Sequence, residues 1–186
     1  MVILQQPSSV PSILRPPHFV EAKRGFGKKV GGYLLKHANL IVLRRFEGFS
    51  PAGLTVVRRS DVSELLINEK WTHMIRDEGH ARLGEERFGL PTTTIRELAA
   101  ALFERGRNIW IECEEETSAE YGLYVGRIVA LAHAHLEVTT FDSDGHWLLG
   151  SYSIPYSSIT LIEIDNPYVD TFSKYIRECP FVSPES

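Results

Sequence analysis

The sequence has little cysteine. Among its 186 residues only Cys113 and Cys179 carry thiols. Two cysteines cannot frame a disulfide scaffold, and they suit a reducing compartment. Long apolar runs are also missing: none approaches the roughly 18 residues that a membrane span needs. The opening residues, Met1 to Leu4, have no basic flank and are too short for a secretory leader. These features predict a cytoplasmic protein with no membrane partner. A basic surplus is absent too. Lys and Arg number 20 against 24 Asp and Glu, a net charge of −4, whereas nucleic-acid proteins are usually basic overall. There is no Gly-x-Ser-x-Gly, no phosphate-binding glycine loop and no dinucleotide fingerprint. The sequence therefore predicts no enzyme and calls for no cofactor.

What is present is a chain with 43% apolar and 24% charged residues, enough for one good core or two small ones. Its charge is uneven. Residues 1–90 hold 14 basic and 9 acidic groups, and residues 91–186 hold 6 and 15. Within 15–60 the ratio is 10 to 2. Such a segment attracts polyanions by releasing their counterions, or it meets an acidic surface of the same or a neighbouring chain.

Residues 1–17, broken by Pro7, Pro11, Pro16 and Pro17, read as a flexible tail. A charged, glycine-containing linker follows at 77–91. Thr94 with Glu97 three residues on is a capping-box pattern. Ile95, Leu98, Ala99, Leu102 and Phe103 then recur at helical spacing, and Gly106 stands where a C-cap belongs. A helix over about 93–105 is predicted. Five strand-like segments come next, at 108–113, 121–131, 136–141, 147–154 and 159–164. The run from Asp142 to Gly145 is a turn by composition. Tyr168, Phe172 and Ile176 mark a short amphipathic helix within 166–178. Five short strands with tight connections predict a small barrel.

The first half shows the same order in weaker form. Gly32 matches Gly126 at an offset of 94, Phe46 matches Phe141 at 95, and Val62 and Trp71 match Ile159 and Tyr168 at 97. A duplicated domain would drift in this way through small loop insertions. Trp71 and Tyr168 are each predicted to seal a barrel end.

A helix, five short strands and a glycine on the second strand resemble the Sm-like small β-barrel. The run from Tyr124 to Ile176 also resembles a group of uncharacterised bacterial proteins with that barrel. The resemblance covers about 92–178 well and about 18–76 less well. It implies a mainly β chain with short helices: two tandem Sm-like or SH3-like five-stranded barrels at 18–76 and 92–178, with a short tail at 179–186. Sm-like proteins commonly form rings by pairing edge strands, and many bind RNA at a motif on two turns. Here Gly126 and Ile128 fit the start of that motif. Ala132 stands at its Asp position, and His135 and Leu136 replace Met-Asn. In the first repeat Gly32 and Leu34 fit, Ala38 stands at the Asp position and Asn39 lies out of register. Arg58 alone fits the later Arg-Gly, where the second repeat has Pro155 and Tyr156.

The remaining candidates for chemistry are few. Arg44, Arg45, Arg58 and Arg59, with His37 and Asn39, form a candidate nucleic-acid or partner-binding set. Adjacent residues on a strand face opposite ways, so at most one of each arginine pair serves a given surface. His133 and His135 are spaced as a possible metal pair, but no third ligand has diagnostic spacing and no metal site is predicted. Asp142 to Gly145 lacks the offsets of a calcium loop. Glu112 to Glu116 is a solvated acidic run, and Cys113 within it reads as a small core residue. Trp147 could stack on a ligand. The reading that follows is a non-enzymatic interaction or scaffold module that self-associates or binds a protein partner. The alternative is RNA or single-stranded nucleic-acid binding through the basic face of the first repeat.

Overall fold

A computed structural model of the chain describes residues 3–4, 18–25, 28–80, 82, 88–114, 121–176 and 179. The protein is mainly β with short helices and divides into two compact units, Met1–Gly89 and Leu90–Ser186.

The first unit contains β1 (Ile3–Leu4), β2 (Phe19–Arg24), β3 (Lys29–His37), β4 (Leu40–Glu47), β5 (Ser50–Arg58), β6 (Val62–Ile67) and α1 (Glu69–Ile75). Its strands lie in the order β1-β6-β2-β3-β4-β5, with antiparallel neighbours. The second unit contains α2 (Ile95–Arg105), β7 (Ile109–Glu114), β8 (Tyr121–Leu131), β9 (His135–Thr140), β10 (Tyr152–Pro155), β11 (Ile159–Ile164) and α3 (Pro167–Ser173). Its order is β11-β7-β8-β9-β10. With β1 set aside, each unit places its fifth strand beside its first and then runs first to fourth.

Local chemistry explains the elements. The Thr94 hydroxyl accepts the Glu97 N–H and opens α2, and Gly106 closes it in the left-handed region. The buried face of α2 is Ile95, Leu98, Ala99 and Leu102. On β7, buried Ile109, Ile111 and Cys113 alternate with half-buried Trp110, Glu112 and Glu114, the period of two expected of a pleated strand. In the first unit Phe19, Tyr33 and Ile75 form a buried cluster with Phe46 and Trp71 against it. Two bonds fix α1 there: Phe19 N–H donates to the Thr72 hydroxyl, and the Tyr33 hydroxyl donates to the Thr72 carbonyl.

The long second strand of each unit bends at one glycine. A Cβ on Gly32 would lie 2.4 Å from the Arg44 carbonyl oxygen, and one on Gly126 would lie 1.9 Å from that of Thr139. Two residues beyond each glycine the ladder slips, between Leu34 and Lys36 in β3 and between Ile128 and Ala130 in β8. Bulges of this kind bend a strand and tighten its twist.

Several boundaries differ from expectation. The fourth strand of the second unit is Tyr152–Pro155, not 147–154, and Trp147 lies outside it in an isolated bridge to Phe141. The Asp142 carboxylate captures the N–H groups of Asp144 and His146, which holds a loop where the apolar run suggested a strand. The last helix is Pro167–Ser173, shorter than 166–178, and residues 177 and 178 lie outside the described set. The helix alignment also shifts. Asn68 and Asn166 cap α1 and α3 alike through their side-chain oxygens, an offset of 98 instead of 97, because Asp165 inserts one residue at φ 54°. Trp71 thus corresponds to buried Val169, while Tyr168 is 48% exposed and packs its ring against Trp110 and Phe172 at the surface. Within the tail expected at 1–17, Ile3 and Leu4 pair with Leu66 and Leu65 of β6, and the other residues lie outside the described set. Of 77–91, residues to His80 form a wide helical turn after α1, and 81 and 83–87 lie outside. At 179–186 only Cys179 is described, and it is buried.

Gly126→Ala should destabilise the protein by about 3 kcal/mol, since a backbone carbonyl must move. Gly89→Ala, where nothing lies within 4 Å of the added carbon, should stay within about 0.5 kcal/mol. Urea unfolding of the two variants checks the contrast.

Candidate functional site

The six residues proposed from sequence split into two groups. His37, Asn39, Arg58 and Arg59 meet where the β3–β4 turn touches the turn before β6. The Arg59 N–H donates to the Asn39 carbonyl at 2.9 Å. Arg44 and Arg45 stand towards the other end of β4. Arg44 pairs with Leu54 and Leu40 pairs with Arg58, so Arg44 and Arg58 share a face, about 13 Å apart along the strands. Arg45 falls at a register shift between Arg44 and Phe46.

None of the four arginines is fully exposed. Arg44 is opposite buried Tyr33 as well as Leu54. Arg58 lies 3.7 Å from Asp61. Arg59 sits in a short helical turn, Arg59–Asp61, and donates to the Val62 carbonyl at 3.0 Å. Much of the basic segment is therefore engaged within its own unit. Among the six, Asn39 alone is exposed.

The second unit repeats this junction with different side chains. The Tyr156 N–H donates to the Ala134 carbonyl at 3.0 Å, and the Tyr156 hydroxyl donates to the Ala132 carbonyl at 3.2 Å. Burial raises the Tyr156 pKa, opposed by the Arg96 charge. An Arg96 guanidinium nitrogen lies 3.4 Å from Nδ1 of His133. His135 instead faces Glu137 at 3.3 Å, and Ser151 donates to the same carboxylate. Among the described residues no three His, Cys, Asp or Glu side chains gather as a metal site. Asp142 is held below the usual carboxylate range, first by the His146 N–H; it shapes a turn. Cys113 and Cys179 are buried and form no disulfide. Of the acidic run, Glu115 and Glu116 lie outside the described residues, while Glu112 accepts from the Trp110 indole. Trp147 packs edge-on against Phe141. No described helix is long and apolar enough to cross a membrane.

A further feature was not singled out from sequence. β10 ends the strand order of its unit, and Leu149, just before it, is 97% exposed. The signal was legible as an uncharged run: no Asp, Glu, Lys or Arg occurs between Asp144 and Glu163.

Comparison with family models, with curated proteins and with solved structures finds no match to this chain.

Burial lowers the His37 pKa, and the Arg59 charge lowers it further. Its Nε2 is buried and meets no hydrogen-bond partner among the described residues. A histidine depressed in the folded state stabilises fully above its unfolded pKa of about 6.5, and that contribution is lost as pH falls. His37→Gln should flatten the decline of melting temperature between about pH 7 and 5. An unchanged slope in a melting series would assign the acid sensitivity elsewhere.

Proposed function

We propose that the protein is a non-enzymatic module, built from two tandem Sm-like small barrels, that assembles with further copies of itself through a strand edge. One observation carries the reading: among the described residues, β10 closes the strand order of its unit with no strand of that unit beyond it. Its side chains are uncharged, half-exposed Tyr152 is one of them, and exposed Leu149 lies just before them. Exposed edges that are not blunted by charge are templates for pairing. The duplication is supported by the shared strand order, the bend at Gly32 and Gly126, the bulges after them and the asparagine caps.

A second reading rests on the junction of His37, Asn39, Arg58 and Arg59, which resembles in position the two turns used by RNA-binding Sm-like proteins. The half-buried state of the arginines, and the Asp61 beside Arg58, count against it.

Sizing with light scattering, recorded at 260 and 280 nm, separates the two. Self-assembly predicts a nucleic-acid-free peak at a multiple of 21.0 kDa at tens of micromolar. A monomer overturns it. A nucleic-acid-rich peak that clears at high salt transfers the function to the arginine junction.

A further inference from the structure

We infer that the second copy docks on β10 by two-fold antiparallel pairing centred on Ser153, a deepening that rests on the self-assembly reading above. The direction of the main chain makes the first part of the case. Pro155 is opposite His135, and the Tyr156 N–H donates to the Ala134 carbonyl one step outside that pair. In an antiparallel ladder this places Pro155–His135 at a non-hydrogen-bonded position, and positions alternate. Tyr152 and Ile154 therefore turn their polar groups towards β9, and Ser153 turns its N–H and carbonyl outward. A two-fold axis beside Ser153 lets each copy's Ser153 N–H donate to the other's Ser153 carbonyl. Pro155, whose outward N–H is missing by chemistry, breaks no bond to β9 in this register.

Charge identifies the occupant. A two-fold axis brings each group near its own equivalent, so any charge at the centre would oppose itself. β10 is the one strand longer than two residues, among the described residues, that carries no charged side chain. Ser153 itself is exposed. The flanking loop is pinned for the contact: Leu148 N–H donates to the Thr140 carbonyl, the Thr139 hydroxyl donates to the Gly150 carbonyl, and Gly150 takes φ 87°. Leu149 is thereby held out beside the edge. With Ser153 on the axis, position 149 falls opposite position 157, which carries the Leu149 side chain to the Pro155–Ser158 turn of the second copy. Tyr152 falls opposite position 154 of that copy, where Ile154 is buried in its own core, and the Tyr152 ring is already braced by Tyr124 at 5.3 Å.

The test is a charge swap in the full chain, followed by sedimentation equilibrium. Ser153→Lys and Ser153→Glu alter an exposed side chain, and each should melt like the wild type. Each alone should dissociate at least tenfold more readily than the wild type. Mixed in equal amounts they should recover the dimer, because Lys then faces Glu across the axis. Leu149→Ser should weaken the dimer severalfold. If the wild type assembles and either Ser153 variant assembles equally well, the β10 pairing is wrong and the self-assembly reading stands. Loss of assembly in both variants without recovery on mixing also overturns the two-fold, since it indicates that β10 meets a different surface. A wild-type monomer removes the self-assembly reading before the variants are compared.

Discussion

A carbonyl oxygen occupying the place of a side chain governs the shape of both units. The Arg44 carbonyl lies against Gly32 and the Thr139 carbonyl against Gly126, at distances no Cβ tolerates. This approach lets the second strand of each unit bend over the third. The bulge two residues later continues the bend. The turn that follows meets the turn before the fifth strand, where the pairing of the third and fourth strands runs one step further: the Arg59 N–H donates to Asn39 in one unit and the Tyr156 N–H to Ala134 in the other. The junction follows from the register of the third and fourth strands, and whatever side chains occupy it arrive there together.

Those side chains differ, and the difference decides what the junctions do. In the first unit Arg59 caps the Val62 carbonyl and Arg58 approaches Asp61. In the second, a tyrosine hydroxyl reaches the Ala132 carbonyl. Both sets hold the turn in place. The basic excess between residues 15 and 60 is thus a poor guide to a binding field. Linear charge counts ignore which groups are half-buried, and here all four arginines of the proposed set are. Lys29 and Lys36 on β3 are exposed, and Lys36 stands opposite Val42, two residues from Arg44 on the same face of β4.

Features controlled by near neighbours were legible in the sequence. Helix α2 could be bounded because Thr94 and Gly106 act within one turn of its ends. The ends of β8 and β11 were likewise readable from local β-branched and apolar runs. Features that depend on register were not. The separation of Arg44 from Arg59 is set by pairings across β4 and β5 and by a slip at Arg45. The helix offset hinged on one left-handed residue, Asp165, which composition does not reveal. β10 was overextended because Trp147 to Leu149 are apolar, although a side-chain carboxylate at Asp142 holds the preceding loop. The uncharged stretch around β10 was visible as a run of letters. It acquired meaning only once β10 was found at the end of its unit's strand order.

The same edge limits the assembly it is proposed to make. In the first unit β1 covers β6, so that end of the sheet is already paired. β10 has only four residues, and just alternate ones turn their polar groups outward. With Ser153 on the axis, position 155 falls opposite position 151 of the second copy. Pro155 has no N–H to give there, and its carbonyl already accepts from Ser158. The ladder therefore weakens two residues from its centre. Pairing about a two-fold also consumes the edge on both copies at once, leaving no second β10 to recruit another chain. An uncharged edge is ordinarily a route to open-ended aggregation. A short edge ended by proline and matched to itself closes at two, which reconciles the lack of a defending charge with a finite complex.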